Sequence, residues 1–131
     1  MCKKAILIKN GYIHTMNKNA DVIEGDIFIE NGKIVSIGKN LDIPEECKVV
    51  DAKEGIVMPG IIDAHNHIGI FEWGIGSAGV DGNEEADPIT PHLRGIDGIY
   101  PLDAEFRHSY ENGVTCVATG PGSANPIGGQ F

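Results

Sequence analysis

Three side chains able to hold a metal ion recur at every second position in VMPGIIDAHNHIG (57–69): Asp63, His65 and His67. On a strand, residues i, i+2 and i+4 share a face. These three therefore point one way, and Ile62, Ala64 and Ile68 the other. Two imidazoles about 6.6 Å apart along a strand can lean onto one ion at metal–nitrogen distances of roughly 2.0–2.1 Å. The chemistry on offer is coordination of a divalent cation. His-x-His by itself is a weak signal, since isolated pairs are more often surface histidines.

The elements that must position this pair fall into two stretches. The first 55 residues read as a small all-β module of about six short antiparallel strands. Asn10-Gly11 and Asn31-Gly32 each separate two apolar runs, and Asn-Gly suits a two-residue hairpin turn because both central residues take positive φ. A two-residue loop at Asn31-Gly32 sets Glu30 opposite Lys33 and Ile29 opposite Ile34, which pairs opposite charges and aliphatics across the strands. KVVDAKEGIVMPG (48–60) gives two further short strands around a turn, and Pro59-Gly60 lets the chain pass from one sheet to another.

From Ile61 the pattern changes. GIIDAHNHI and GVTCVATG lack the polar alternation of a solvent-facing strand, and buried parallel strands read this way. Between them lie roughly 33 residues of loop (69–101), long enough to suggest function or mobility, and then a short helix. Asp103 is the expected N-cap, Phe106 and Tyr110 share a face, and Gly113 is the expected stop. Strand, connection, helix, strand opens a parallel α/β arrangement. The closing GPGSANPIGGQF (120–131) reads as a flexible loop that stops in mid-pattern.

The totals exclude several classes. A formal charge of −9 and a pI near 4.8 argue against nucleic acid and against an anionic membrane surface as partners, since both need clustered Lys and Arg. The start MCKKAILIKNG has too short an apolar run for a signal peptide, and no run approaches the roughly 20 apolar residues of a membrane span. Cys2, Cys47 and Cys116 are odd in number and far apart, which fits reduced thiols and a cytoplasmic location.

The string MPGIIDAHNHI, with the approach VVDAKEGIV before it and ENGVTCVATG after it, resembles the amidohydrolase superfamily. Within that superfamily it is most similar to the imidazolonepropionase-like and cyclic-amidohydrolase branches. The resemblance implies a β-rich N-terminal portion: residues 1–58 as a small β-sandwich segment, and residues 59–131 as the start of a (β/α)8 barrel with its first two strands. It implies that His65 and His67 are ligands of a divalent metal, most often zinc, with one or two ions in the parent enzyme, and that Asp63 orients the strand end. The implied activity is hydrolysis of non-peptide carbon–nitrogen bonds in small cyclic or linear amides, or deamination of a heterocycle. In such sites the ion lowers the pKa of bound water and polarises the group attacked.

The family pattern also needs ligands from later strands, and a barrel of this kind takes about 250 residues. The expectation is therefore an N-terminal portion of a longer hydrolase, inactive alone. The alternatives are a non-catalytic β-rich interaction module and one subunit of a split metallohydrolase. Bare strand edges lead to the further expectation of homo-oligomers or strand exchange. His92, Arg94 and Gln130 are candidates for a substrate loop. A solvated loop is the plainer reading of the first two, and a flexible tail that of Gln130.

Overall fold

The computed structural model describes residues 5–131, so Cys2 lies outside the described residues. The chain divides into two compact units, Met1–Pro59 and Gly60–Phe131.

The first unit is built from β1 (Ala5–His14), β2 (Val22–Glu30), β3 (Lys33–Gly38), β4 (Lys48–Asp51) and β5 (Ile56–Val57). They form one sheet in the order β3-β2-β1-β4, with β5 also on β1. Asn31 (φ 52°) and Gly32 (φ 76°) make the tight turn between β2 and β3. Glu30 faces Lys33 and Ile29 faces Ile34, the register the sequence predicts.

Asn10-Gly11 is not a turn. Both residues lie inside β1, where the pairing with β2 slips between Ile8 and Gly11. Asn10 takes φ 56°, so the dipeptide forms a β-bulge that bends one continuous strand. The β1–β2 loop comes later, where the Thr15 amide donates to the Asp21 carbonyl at 3.1 Å and the Asn17 side chain accepts from the amides of Asn19 and Asp21.

The expected antiparallel set of about six strands is likewise corrected: among the described residues there are five, with β4 and β5 parallel to β1. They are two pieces of one edge, interrupted by a turn opposite the bulge. There Asn10 accepts from the Glu54 amide at 2.7 Å and donates through Nδ2 to Asp51 at 3.0 Å. Among the described residues this unit holds one sheet rather than two facing ones. Ala5, Leu7 and Phe28 form its core, with Leu41, Ile43 and Cys47 packed against them. Cys47 and Cys116 are free thiols.

The second unit starts with β6 (Ile61–Asn66), continues through a 3-10 turn at Gly76–Gly79 and a single helical turn, α1 (Gly95–Gly98), and ends with α2 (Ala104–Glu111) and β7 (Val114–Thr119). Buried Asp103 caps α2, accepting from the Glu105 amide at 2.9 Å. Gly113 follows the helix at φ 90°, a backbone conformation for which glycine has no Cβ penalty. β6 and β7 pair in parallel.

Their expected burial is not met: Ile61 is 48% and Ile62 72% exposed. The parallel sheet has two strands, and among the described residues no layers cover both of its faces. The tail is also more ordered than a flexible loop. Asn125 exchanges hydrogen bonds with Glu84 at 3.1 and 2.7 Å, Thr90 donates to the Ile127 carbonyl, and Gly95 and Gln130 are joined at 2.8 Å. No helix among the described residues is long and apolar enough to cross a membrane.

Candidate metal centre

His65 is the penultimate residue of β6, and His67 follows the strand's last residue, Asn66. The chain leaves the strand by a turn in which the His67 carbonyl accepts from the amides of Ile70 and Phe71 at 3.0 and 3.1 Å. The two imidazoles meet edge to face, with centroids 5.1 Å apart. His65 is exposed and His67 half-buried. Phe131 stands 5.7 Å from the His65 ring, and Phe71 stands 5.4 Å from that of His67.

His67 Nδ1 lies 2.7 Å from the Gly120 carbonyl oxygen. A carbonyl only accepts, so Nδ1 carries the proton and, in the neutral ring, Nε2 keeps its lone pair. That is the donor arrangement found at metal-bound histidines, where the second ring nitrogen is held by a carbonyl or carboxylate.

Asp63 is tied to the same strand end. Its Oδ2 accepts from Asn66 Nδ2 at 3.0 Å and its Oδ1 from the His65 amide at 3.2 Å. These bonds, the Asn66 one foremost, hold its carboxyl below the ordinary carboxylate range. With both oxygens engaged, Asp63 acts on the backbone that carries His65.

Two neutral imidazoles fit two positions of a tetrahedral zinc site, which takes three or four protein ligands. Among the described residues no group of three or more His, Cys, Asp and Glu side chains comes together.

The other candidates meet one another but not this pair. His92 and Arg94 line a cavity of about 320 Å³ with Asp81, Glu84 and Asp97, and neither His65 nor His67 lines it. Arg94 is engaged by Asp97 through two contacts of 2.9 and 2.6 Å. That bonding holds the Asp97 carboxyl below its usual range. Gln130 donates through Nε2 to the Pro91 carbonyl at 3.1 Å and pairs with Arg94 through the backbone.

Sequence reasoning missed Thr119, Gly120 and Phe131 as surroundings of the pair. A contact made by a backbone carbonyl leaves no residue signature. The only available signal was the Thr-Gly that closes the second parallel strand.

No protein-family model matches the chain. It is 40% identical over 88 residues, 67% of its length, to the amidohydrolase tasK of Hapsidospora irregularis, of which those residues are 9%. It is 42% identical over 104 residues, 79% of its length, to a 5'-deoxyadenosine deaminase of Methanococcoides burtonii, of which they are 22%. Among solved structures, an amidohydrolase from Thermotoga maritima matches 95% of the chain at 41% identity and a TM-score of 0.81, over 32% of its own length.

The chain is thus homologous to amidohydrolases, over part of their length. It spans between 9% and 32% of the lengths of these relatives.

Proposed function

We propose that the chain is the N-terminal portion of a metal-dependent amidohydrolase that cleaves non-peptide carbon–nitrogen bonds in small amides or heterocyclic amidines. In this reading β6 and β7 are the first two strands of a (β/α)8 barrel, and the single sheet of residues 1–58 is one segment of the parent enzyme's composite β-sandwich. His65 and His67 bind a divalent ion, zinc in the first instance, at the C-terminal end of β6. Barrel active sites form at that end of the strands.

The observation that carries the proposal is the convergence of the two imidazoles at 5.1 Å. The exposure of Ile61 and Ile62 supports the barrel part of the reading, because parallel strands are normally covered on both faces. The deaminase among the relatives points to an amidine carbon in a heterocycle as one substrate class, since deamination is also hydrolysis of a carbon–nitrogen bond.

A bound ion would supply Lewis acidity, activating water and polarising the group attacked. This chain's contribution is to hold two imidazoles at a strand end. Asp63 fixes the backbone of His65, and Gly120 fixes the ring of His67. The remaining ligands come from other segments of the full-length hydrolase, so the 131-residue chain is inactive alone.

X-ray absorption at the zinc edge of the zinc-loaded protein tests the ligand assignment. Imidazole scattering with nitrogens at roughly 2.0–2.1 Å is expected, and zinc coordinated by oxygen alone would overturn it. Metal-dependent amide turnover by the pure chain, with its mass confirmed, would overturn the assignment of inactivity.

A further inference from the structure

The turn after β6 is tied to the end of β7 by three hydrogen bonds. Thr119 Oγ1 donates to the Ile68 carbonyl at 2.7 Å, the Gly120 amide donates to the Asn66 carbonyl at 3.3 Å, and His67 Nδ1 donates to the Gly120 carbonyl at 2.7 Å. Ile68 and Asn66 flank His67 in sequence. The clamp therefore grips the backbone on either side of the histidine while its third member grips the ring.

Gly120 is buried, and a Cβ there would run into the Phe131 ring, so the position does not accommodate a side chain. Of the residues on the β7 side of the clamp, only Thr119 acts through a side chain. The Thr119 hydroxyl is thus the tie that a substitution can remove without touching the backbone.

We infer that Thr119 is a positioning residue: its hydroxyl locks the turn so that the Gly120 carbonyl holds His67 in the Nδ1–H tautomer with Nε2 free. The inference rests on the reading of His67 as a ligand for its purpose, but not for its test. An unconstrained histidine prefers the opposite tautomer, protonated on Nε2, so the lock is visible without any metal. A ligand pre-set in this way loses no population to the wrong tautomer when it meets an ion, and losing such an outer contact typically lowers metal affinity 10- to 100-fold.

The test is long-range ¹H–¹⁵N spectroscopy of the imidazoles in the ¹⁵N-labelled metal-free chain, at a pH where imidazoles are neutral. His67 should show a protonated Nδ1 and a bare Nε2 in the wild type and in Thr119→Ser. In Thr119→Val it should move toward the Nε2–H form, with zinc affinity lowered at least tenfold.

A wild-type His67 already in the Nε2–H form would overturn the inference without recourse to any variant. So would a Thr119→Val chain, folded by circular dichroism, whose His67 is unchanged. Zinc added to the same samples separates the two claims. Failure of zinc to shift His67 Nε2 in a correctly locked ring would sink the ligand reading, and the observed tautomer would still support the lock.

Discussion

The imidazole planes of His65 and His67 stand at 82° with their centroids 5.1 Å apart, closer than the roughly 6.6 Å that separates alternate residues on a regular strand. The convergence comes from where the strand stops. His65 is still on β6, whereas His67 is the first residue beyond it and already accepts the amides of the following turn.

Asp63 maintains that ending, and its charge should be visible in the acid stability of the chain. Its carboxyl titrates below the ordinary range in the folded state. Its contribution is therefore complete above the unfolded value of about 3.9 and is lost as pH falls through the folded value. Urea midpoints measured at pH 6 and again near pH 2 should fall less in Asp63→Asn than in the wild type. Equal losses in the two proteins would contradict the assignment.

Asp103 is a second carboxylate with a defined duty. It caps α2 through the Glu105 amide at 2.9 Å and also accepts from the Trp73 amide at 3.3 Å. Loss of an N-cap costs about 1 kcal/mol and up to about 2 in protein hosts. Asp103→Ala should fall in that range by urea denaturation, toward its upper end because the Trp73 loop also loses a partner.

Asn10 makes the opposite kind of prediction, governed by backbone rather than by capping. At φ 56° a β-branched side chain is disfavoured, at roughly 1–2 kcal/mol for the left-handed region. Asn10→Val should lose at least that much stability. Asn10→Gly should lose less, since glycine tolerates the conformation and only the Nδ2 bond to Asp51 disappears. A valine variant as stable as the glycine one would refute the bulge.

The two Asn-Gly dipeptides mark what could be read from the sequence. Asn31-Gly32 was legible because Glu30, Lys33, Ile29 and Ile34 give a matching register on both sides. Asn10-Gly11 carries the same local signal, but β1 pairs with β4 and β5 along its other edge. That pairing, some 40 residues away in sequence, keeps the strand continuous through the dipeptide, as a bulge rather than a turn. Tertiary pairing outweighed turn propensity there.

The cap at Asp103 and the parallel pairing of β6 with β7 were legible from cap chemistry and from apolar runs. The histidine pair was legible from its period of two. The setting of His67 was not, because Gly120 contributes a carbonyl that every residue possesses, from 53 positions away. Nor did apolar runs reveal exposure, which depends on what covers a strand rather than on the strand itself.

The central claim, that His65 and His67 form part of a metal site, is tested most directly by zinc titration of the chain alongside His65→Ala, His67→Ala and the double variant, followed through the imidazole ¹⁵N resonances. The account predicts weak binding, with the largest responses at His65 and His67, weakened in each single variant and absent in the double variant. Responses centred on His14, His92 or His108, or zinc binding that survives in the double variant, would contradict it.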